Sequence, residues 1–174
     1  MSLVIVETTT EQPITDEVLL NIDERVVPCL IARDVTWRYS LLSSDRHRMI
    51  CTFNAPDAES VREAYRQAGL FSRVVWAGSL IRPEGTQPQP NAALLKVFEG
   101  TYPPLSEADW DEASSKILSC YTERGIEWIQ TYLSLDRTRM ICELNAPDAE
   151  SIREVQHRMR IPFDRVWTAH VLSP

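Results

Sequence analysis

Hydrophobic positions in this chain come in short bursts, and the period of each burst names an element. Residues 3–7, LVIVE, form a β-rich run, followed by Pro13 and by Thr15, a residue suited to cap a helix. Leu19, Ile22, Val26 and Cys29 then fall at i, i+3, i+7 and i+10, one face of a helix that Pro28 should kink or shorten. WRYSLLSSDRHRMICTFN, from Trp37, reads as a strand, a tight turn near Ser44–His47 and a second strand. NAPDAES, from Asn54, puts a proline and acids where a second helix begins; Ala58, Val61, Tyr65 and Ala68 form its buried stripe, and Gly69 can end it. RVVWAGSLI, from Arg73, supplies a last strand, so the predicted order is βαββαβ.

The same order returns at a constant spacing of 91, the distance from Arg48 to Arg139. Trp37 falls on Trp128, Asp45 on Asp136, Cys51 on Cys142 and Trp76 on Trp167. Without any gap the spacing aligns residues 1–83 with 92–174, and the first copy's Thr15 meets Ser106. The second helix stripe becomes Trp110, Ala113, Ile117 and Cys120. Between the copies, EGTQPQPN at 84–91 has the polar, proline-containing character of a semi-extended linker. The expected fold is α+β: two ferredoxin-like βαββαβ repeats that form a pseudo-dimer, their antiparallel sheets facing each other or joined in a dimeric α+β barrel.

Each repeat then has a sheet face without helices, and the hairpin register decides which residues line it. Pairing in which residue numbers sum to 91 places Leu42 with Met49, Ser40 with Cys51 and Arg38 with Phe53 under the helices, matched by Leu133, Met140, Thr131, Cys142, Ile129 and Leu144. The opposite face receives Trp37, Tyr39, Arg48, Ile50, Thr52 and Asn54, and in the second copy Trp128, Gln130, Arg139, Ile141, Glu143 and Asn145. Rings mixed with hydrogen-bonding groups suit the lining of a ligand cleft. The candidate cleft residues are therefore Trp37, Tyr39, Arg48, Thr52, Asn54, Trp128, Gln130, Arg139, Glu143 and Asn145, with His170 on the last strand.

Composition narrows the function. A chain of 174 residues, 44% hydrophobic and 25% charged, with a net charge of −7, is an ordinary globular protein without the basic surface that nucleic acid requires. MSLVIV is too short an apolar start for a signal or a membrane span, so no membrane association and a cytoplasmic setting are expected. Four cysteines without a CxxC pair fit buried free thiols. None of His47, His157 and His170 is duplicated, so a symmetric imidazole metal site is not expected. Asp45, Arg46 and Arg48, repeated as Asp136, Arg137 and Arg139, read as turn chemistry; a functional alternative has Arg48 and Arg139 hold a carboxylate or phosphate. Trp76 and Trp167 read as packing residues, and no phosphate loop, nucleophile elbow or HExxH string is present.

Trp37, Ser40, Asp45, Cys51, Ala55, Pro56 and Glu63, repeated as Trp128, Thr131, Asp136, Cys142, Ala146, Pro147 and Glu154, form a pattern that resembles a family of small bacterial ferredoxin-like domains of unknown function, one branch of which is described as nickel-binding. The resemblance implies a dimer-forming ferredoxin-like domain, here in tandem, as a monomer or homodimer of fused repeats. It also makes nickel or another transition metal the candidate cofactor. The chain departs from that pattern where histidines are sought: it has Phe53, Tyr65 and Arg66, and only the second copy has His157. The expected role is binding of a small organic molecule, or secondarily a metal ion, in a cleft between the repeats. A cofactor-independent oxygenase or isomerase and a protein-interaction module are the alternatives.

Overall fold

The computed structural model describes residues 1–85 and 87–174; Thr86, in the expected linker, lies outside the described residues. Its elements are β1 (Ser2–Thr9), α1 (Asp16–Ile31), β2 (Thr36–Ser43), β3 (Arg48–Ala55), α2 (Ala58–Gln67) and β4 (Val74–Ile81), then β5 (Leu95–Thr101), α3 (Glu107–Glu123), β6 (Glu127–Ser134), β7 (Arg139–Asn145), α4 (Ala149–Arg158) and β8 (Arg165–Leu172). The order is βαββαβ twice, and the strands close into a barrel in the order β1-β3-β2-β8-β5-β7-β6-β4. By compactness the chain divides into unit 1, Met1–Gly78 with His170–Pro174, and unit 2, Ser79–Ala169. Among the described residues, no helix is long and apolar enough to cross a membrane.

Local chemistry starts every helix. Thr15, Asp57, Ser106 and Asp148 sit at the N-caps, each side chain accepting a hydrogen bond from the backbone N–H three residues on. In unit 1 the helices cover one sheet face and bury Val4, Val6, Ile22, Val26, Leu30, Phe53, Val61 and Tyr65 together. α1 runs through Pro28 and ends three residues later, where the missing N–H costs only a late helical bond. Unit 2 buries Phe98, Tyr121, Leu133, Leu144, Ile152 and Val155 in the same layer.

Two expectations need correction. The hairpin keeps the predicted sum of 91 at Tyr39–Thr52, Ser40–Cys51 and Leu42–Met49, but a β-bulge at Arg38 makes Trp37 the partner of Phe53. The extra residue reverses the alternation, so Trp37 packs on the helix-side core instead of the helix-free face. Ile129 is the matching bulge, and Trp128 turns to the helix side with it.

The gapless alignment also fails at the first strand. Glu7 pairs with Ile50, and Glu99 with Ile141, so β1 and β5 correspond at a spacing of 92. Ile14 and Leu105, which receive Arg46 and Arg137 on their carbonyls, correspond at 91. The loop between these points is therefore one residue shorter in the second repeat.

Candidate functional site

Correcting the spacing exposes a duplicated cluster that the ungapped alignment hid by placing Glu7 opposite Phe98. On the helix-free face of unit 1, Arg48 Nη2 donates to Glu7 Oε2 at 2.5 Å and Arg48 Nη1 donates to Thr9 Oγ1 at 2.9 Å. Trp76 Nε1 donates to the other Glu7 oxygen at 2.7 Å. Unit 2 repeats this: Arg139 donates to Glu99 Oε1, and Trp167 Nε1 donates to Glu99 Oε2 at 2.6 Å. Arg139 also reaches Asp164 at 2.9 Å. The shared strings VETT and FEGT, aligned on their glutamates, were the sequence signal for it. The carboxylate that each arginine holds is the protein's own, Glu7 for Arg48 and Glu99 for Arg139. Centred on a buried glutamate, each cluster ties the first, third and last strands of its repeat together.

Most of the other expected cleft residues are also engaged. Thr52 Oγ1 donates to the Tyr39 carbonyl at 3.0 Å, and Asn54 is exposed. Gln130 Nε2 donates to the buried Glu143 at 2.6 Å, and Gln130 Oε1 accepts from Arg82 Nε at 3.2 Å. Asn145 anchors the inter-repeat segment, donating to the Gln89 carbonyl at 2.8 Å and accepting from the Asn91 N–H at 2.9 Å. His170 Nε2 lies 3.1 Å from Ser44 Oγ and is exposed. Unit 1 holds Tyr39, Arg48, Thr52, Asn54 and His170, and unit 2 holds Gln130, Arg139, Glu143 and Asn145.

The helix side differs between the repeats. In unit 2, a cavity of about 260 Å³ opens between α3, α4 and the sheet. Five aromatic residues, Phe98, Tyr102, Trp110, Tyr121 and Trp128, share its wall with Ala113, Met140, Leu144 and Gln156. At positions equivalent to Ala113, Leu144 and Gln156, unit 1 carries the larger Ile22, Phe53 and Tyr65, all buried in its core. α1 buries Ile22, Val26 and Leu30, whereas α3 buries Tyr121 alone.

Polar groups on the cavity wall are few. Trp128 Nε1 donates to Thr131 Oγ1 at 2.9 Å, and that hydroxyl donates to Cys142 Sγ at 3.0 Å. Burial pushes the Cys142 thiol up to about 12, which keeps it protonated and unreactive. Burial likewise raises the Tyr102 and Tyr121 hydroxyls far above the ordinary phenol value. Gln156, fully buried, donates from Nε2 to the Tyr121 hydroxyl at 2.6 Å, while its Oε1 meets no hydrogen-bond donor among the described residues. At the rim the exposed Arg160 holds a left-handed backbone (φ 56°), where the first repeat has Gly69. At Gly69 a Cβ would come within 2.6 Å of the Arg25 guanidinium, which would have to shift from the Ala68 carbonyl to which it donates between α1 and α2. The corresponding Lys116 pairs instead with Glu112 on its own helix.

Sequence reasoning missed this cavity, because the stripe Trp110, Ala113, Ile117 and Cys120 reads as an ordinary buried face. The smaller residues at Ala113 and Gln156, set against Ile22 and Tyr65, were the available signal.

Two antiparallel βαββαβ repeats closed into one barrel define the dimeric α+β barrel class. The model of the nickel responsive protein SCO4226-like family matches residues 4–77 and 97–168, and the chain belongs to that family, with one copy in each repeat. No curated protein matches the chain in sequence. Among solved structures, a mutant chlorite dismutase from Candidatus Nitrospira defluvii in complex with cyanide is similar at 11% identity and a TM-score of 0.51, covering 99% of this chain and 91% of the other. An anthrone oxidase-like protein is similar at 11% identity and a TM-score of 0.48, over 99% and 93%. Identities this low speak to the fold alone.

Proposed function

We propose that the protein binds one small, largely apolar organic molecule per chain, in the helix-side cavity of unit 2. The cavity of about 260 Å³ carries this reading. It exceeds the roughly 150 Å³ that accommodates benzene in an engineered core, and its aromatic, nearly unpolar wall is of the kind small-molecule sites use. Binding is favoured over acid–base catalysis because the Cys142 thiol and the Tyr102 and Tyr121 hydroxyls on the wall are held in their protonated forms.

The nickel responsiveness in the family's description finds no fitting donor set. His47 Nδ1 lies 2.9 Å from the Thr10 carbonyl, His157 packs on the Phe163 ring and His170 meets Ser44. Burial holds the Cys51 and Cys142 thiols protonated. Among the described residues, no group of three or more His, Cys, Asp or Glu is placed to hold a metal ion.

Titration with naphthalene, read by the fluorescence of Trp110 and Trp128, tests the proposal. One equivalent should bind per chain, and Ala113→Ile, which restores the side chain of unit 1, should abolish binding. No binding, or binding undiminished in Ala113→Ile, overturns it.

A further inference from the structure

Resting on the cavity reading above, we propose that the natural guest is an aromatic acid, its one or two rings inside the cavity and its carboxylate held by Arg160 at the mouth. Among the residues that line the cavity, Arg160 alone carries a charge. It is also exposed, so it is open to solvent as well as to a guest in the cavity. An anion seated there keeps part of its hydration, whereas one drawn deeper among Phe98, Trp110 and Leu144 would lose it with no donor in exchange. The rings of the wall and a volume of about 260 Å³ suit a flat apolar end of one or two rings.

The Arg160 guanidinium is uncommitted. Among the described residues it makes no hydrogen bond or ion pair, and the nearest acids in the sequence are taken, Glu154 by Arg124 and Asp164 by Arg139. Its backbone points the same way. Arg160 holds the left-handed region at φ 56°, which a Cβ disfavours, and the first repeat meets the same turn with Gly69 at φ 74°. Two other arginines adopt that conformation, and both are bonded there: Arg46 donates to the Ile14 carbonyl and Arg137 to the Leu105 carbonyl. Arg160 has no such bond, and it replaces glycine only in the repeat that carries the cavity. A carboxylate on the guest supplies the missing partner, since a guanidinium pairs with that group through two parallel hydrogen bonds.

The test compares naphthalene, 2-naphthoate and its neutral counterpart 2-naphthylmethanol by calorimetric titration of the full chain and of Arg160→Gly. That substitution restores the residue of the first repeat and suits the left-handed backbone, so its thermal midpoint should not fall. The intact protein should bind 2-naphthoate about fivefold more tightly than 2-naphthylmethanol, the upper range for an exposed ion pair, and should lose most of that preference at about 1 M salt. In Arg160→Gly the preference should vanish. If 2-naphthoate binds no more tightly than the alcohol, or keeps its preference in Arg160→Gly, the acid assignment fails while the cavity reading stands. Tighter binding of 2-naphthyl phosphate than of 2-naphthoate overturns the carboxylate, and tighter binding of dodecanoate overturns the ring. If no probe binds the intact protein, the cavity reading itself has failed.

Discussion

Ile22 and Ala113 occupy the same turn of the first helix in their repeats, and the difference between them shows how one fold is kept for strength and its copy opened for binding. Around Ile22, the side chains of Phe53 and Tyr65 complete a filled layer. Around Ala113, Leu144 and Gln156 leave about 260 Å³. The caps, the hairpin turns and the carboxylate–arginine–tryptophan clusters are the same in both. The shared parts are those that fix strand register and helix starts. The divergent parts only fill space, so they could change without moving the frame.

The first way to break this comparison is to attack the shared frame. Arg48→Ala and Arg139→Ala each strand a buried glutamate and should each cost about 3–5 kcal/mol in urea unfolding. A large inequality would show that the frame is not shared in energy as it is in geometry. Next, Ile22→Ala should cost about 2–5 kcal/mol, because the filled layer of unit 1 cannot collapse around the hole. A loss well under 1 kcal/mol would mean that the first repeat is already loose.

The thiols provide a probe in pH. In the unfolded chain both ionise near the ordinary 9.0, whereas in the folded chain Cys51 keeps its proton to about 11 and Cys142 to about 12. The folded state binds more protons across that window. Their contribution is therefore full below pH 9.0 and is lost as pH rises, over a longer span for the second repeat. Urea midpoints measured from pH 7 to 11 should fall above 9.0, less steeply in Cys142→Ala. The smallest effect is expected from Ala113→Ile, which should stabilise the unliganded protein by about 0.5–2 kcal/mol as a cavity-filling change. Destabilisation would mean that the second repeat has no room for the isoleucine of the first.

Most of the fold was legible in the sequence because it rests on local signals that act within a few residues. Thr15, Asp57, Ser106 and Asp148 announce their helices by side chain alone, and the duplication placed every later element. The face of Trp37 and Trp128 was not legible: a bulge inserts one residue into a strand without any fixed residue type to mark it, and reverses the alternation from there on. The glutamate cluster was hidden for a similar reason, a single residue missing from a loop. The cavity was harder still, since no residue names a void. It follows from three side chains that are each only somewhat smaller than their counterparts.

That missing loop residue governs how the halves can be recombined. A chimera cut at the constant spacing of 91 would install Phe98 where Arg48 and Trp76 both reach for Glu7, leaving a buried guanidinium facing a ring. A graft that carries residues 95–101 in at a spacing of 92, and keeps the recipient's own loop, delivers Glu99 to the same place. The two repeats are interchangeable parts only when the first strand is treated as a piece with its own reading frame.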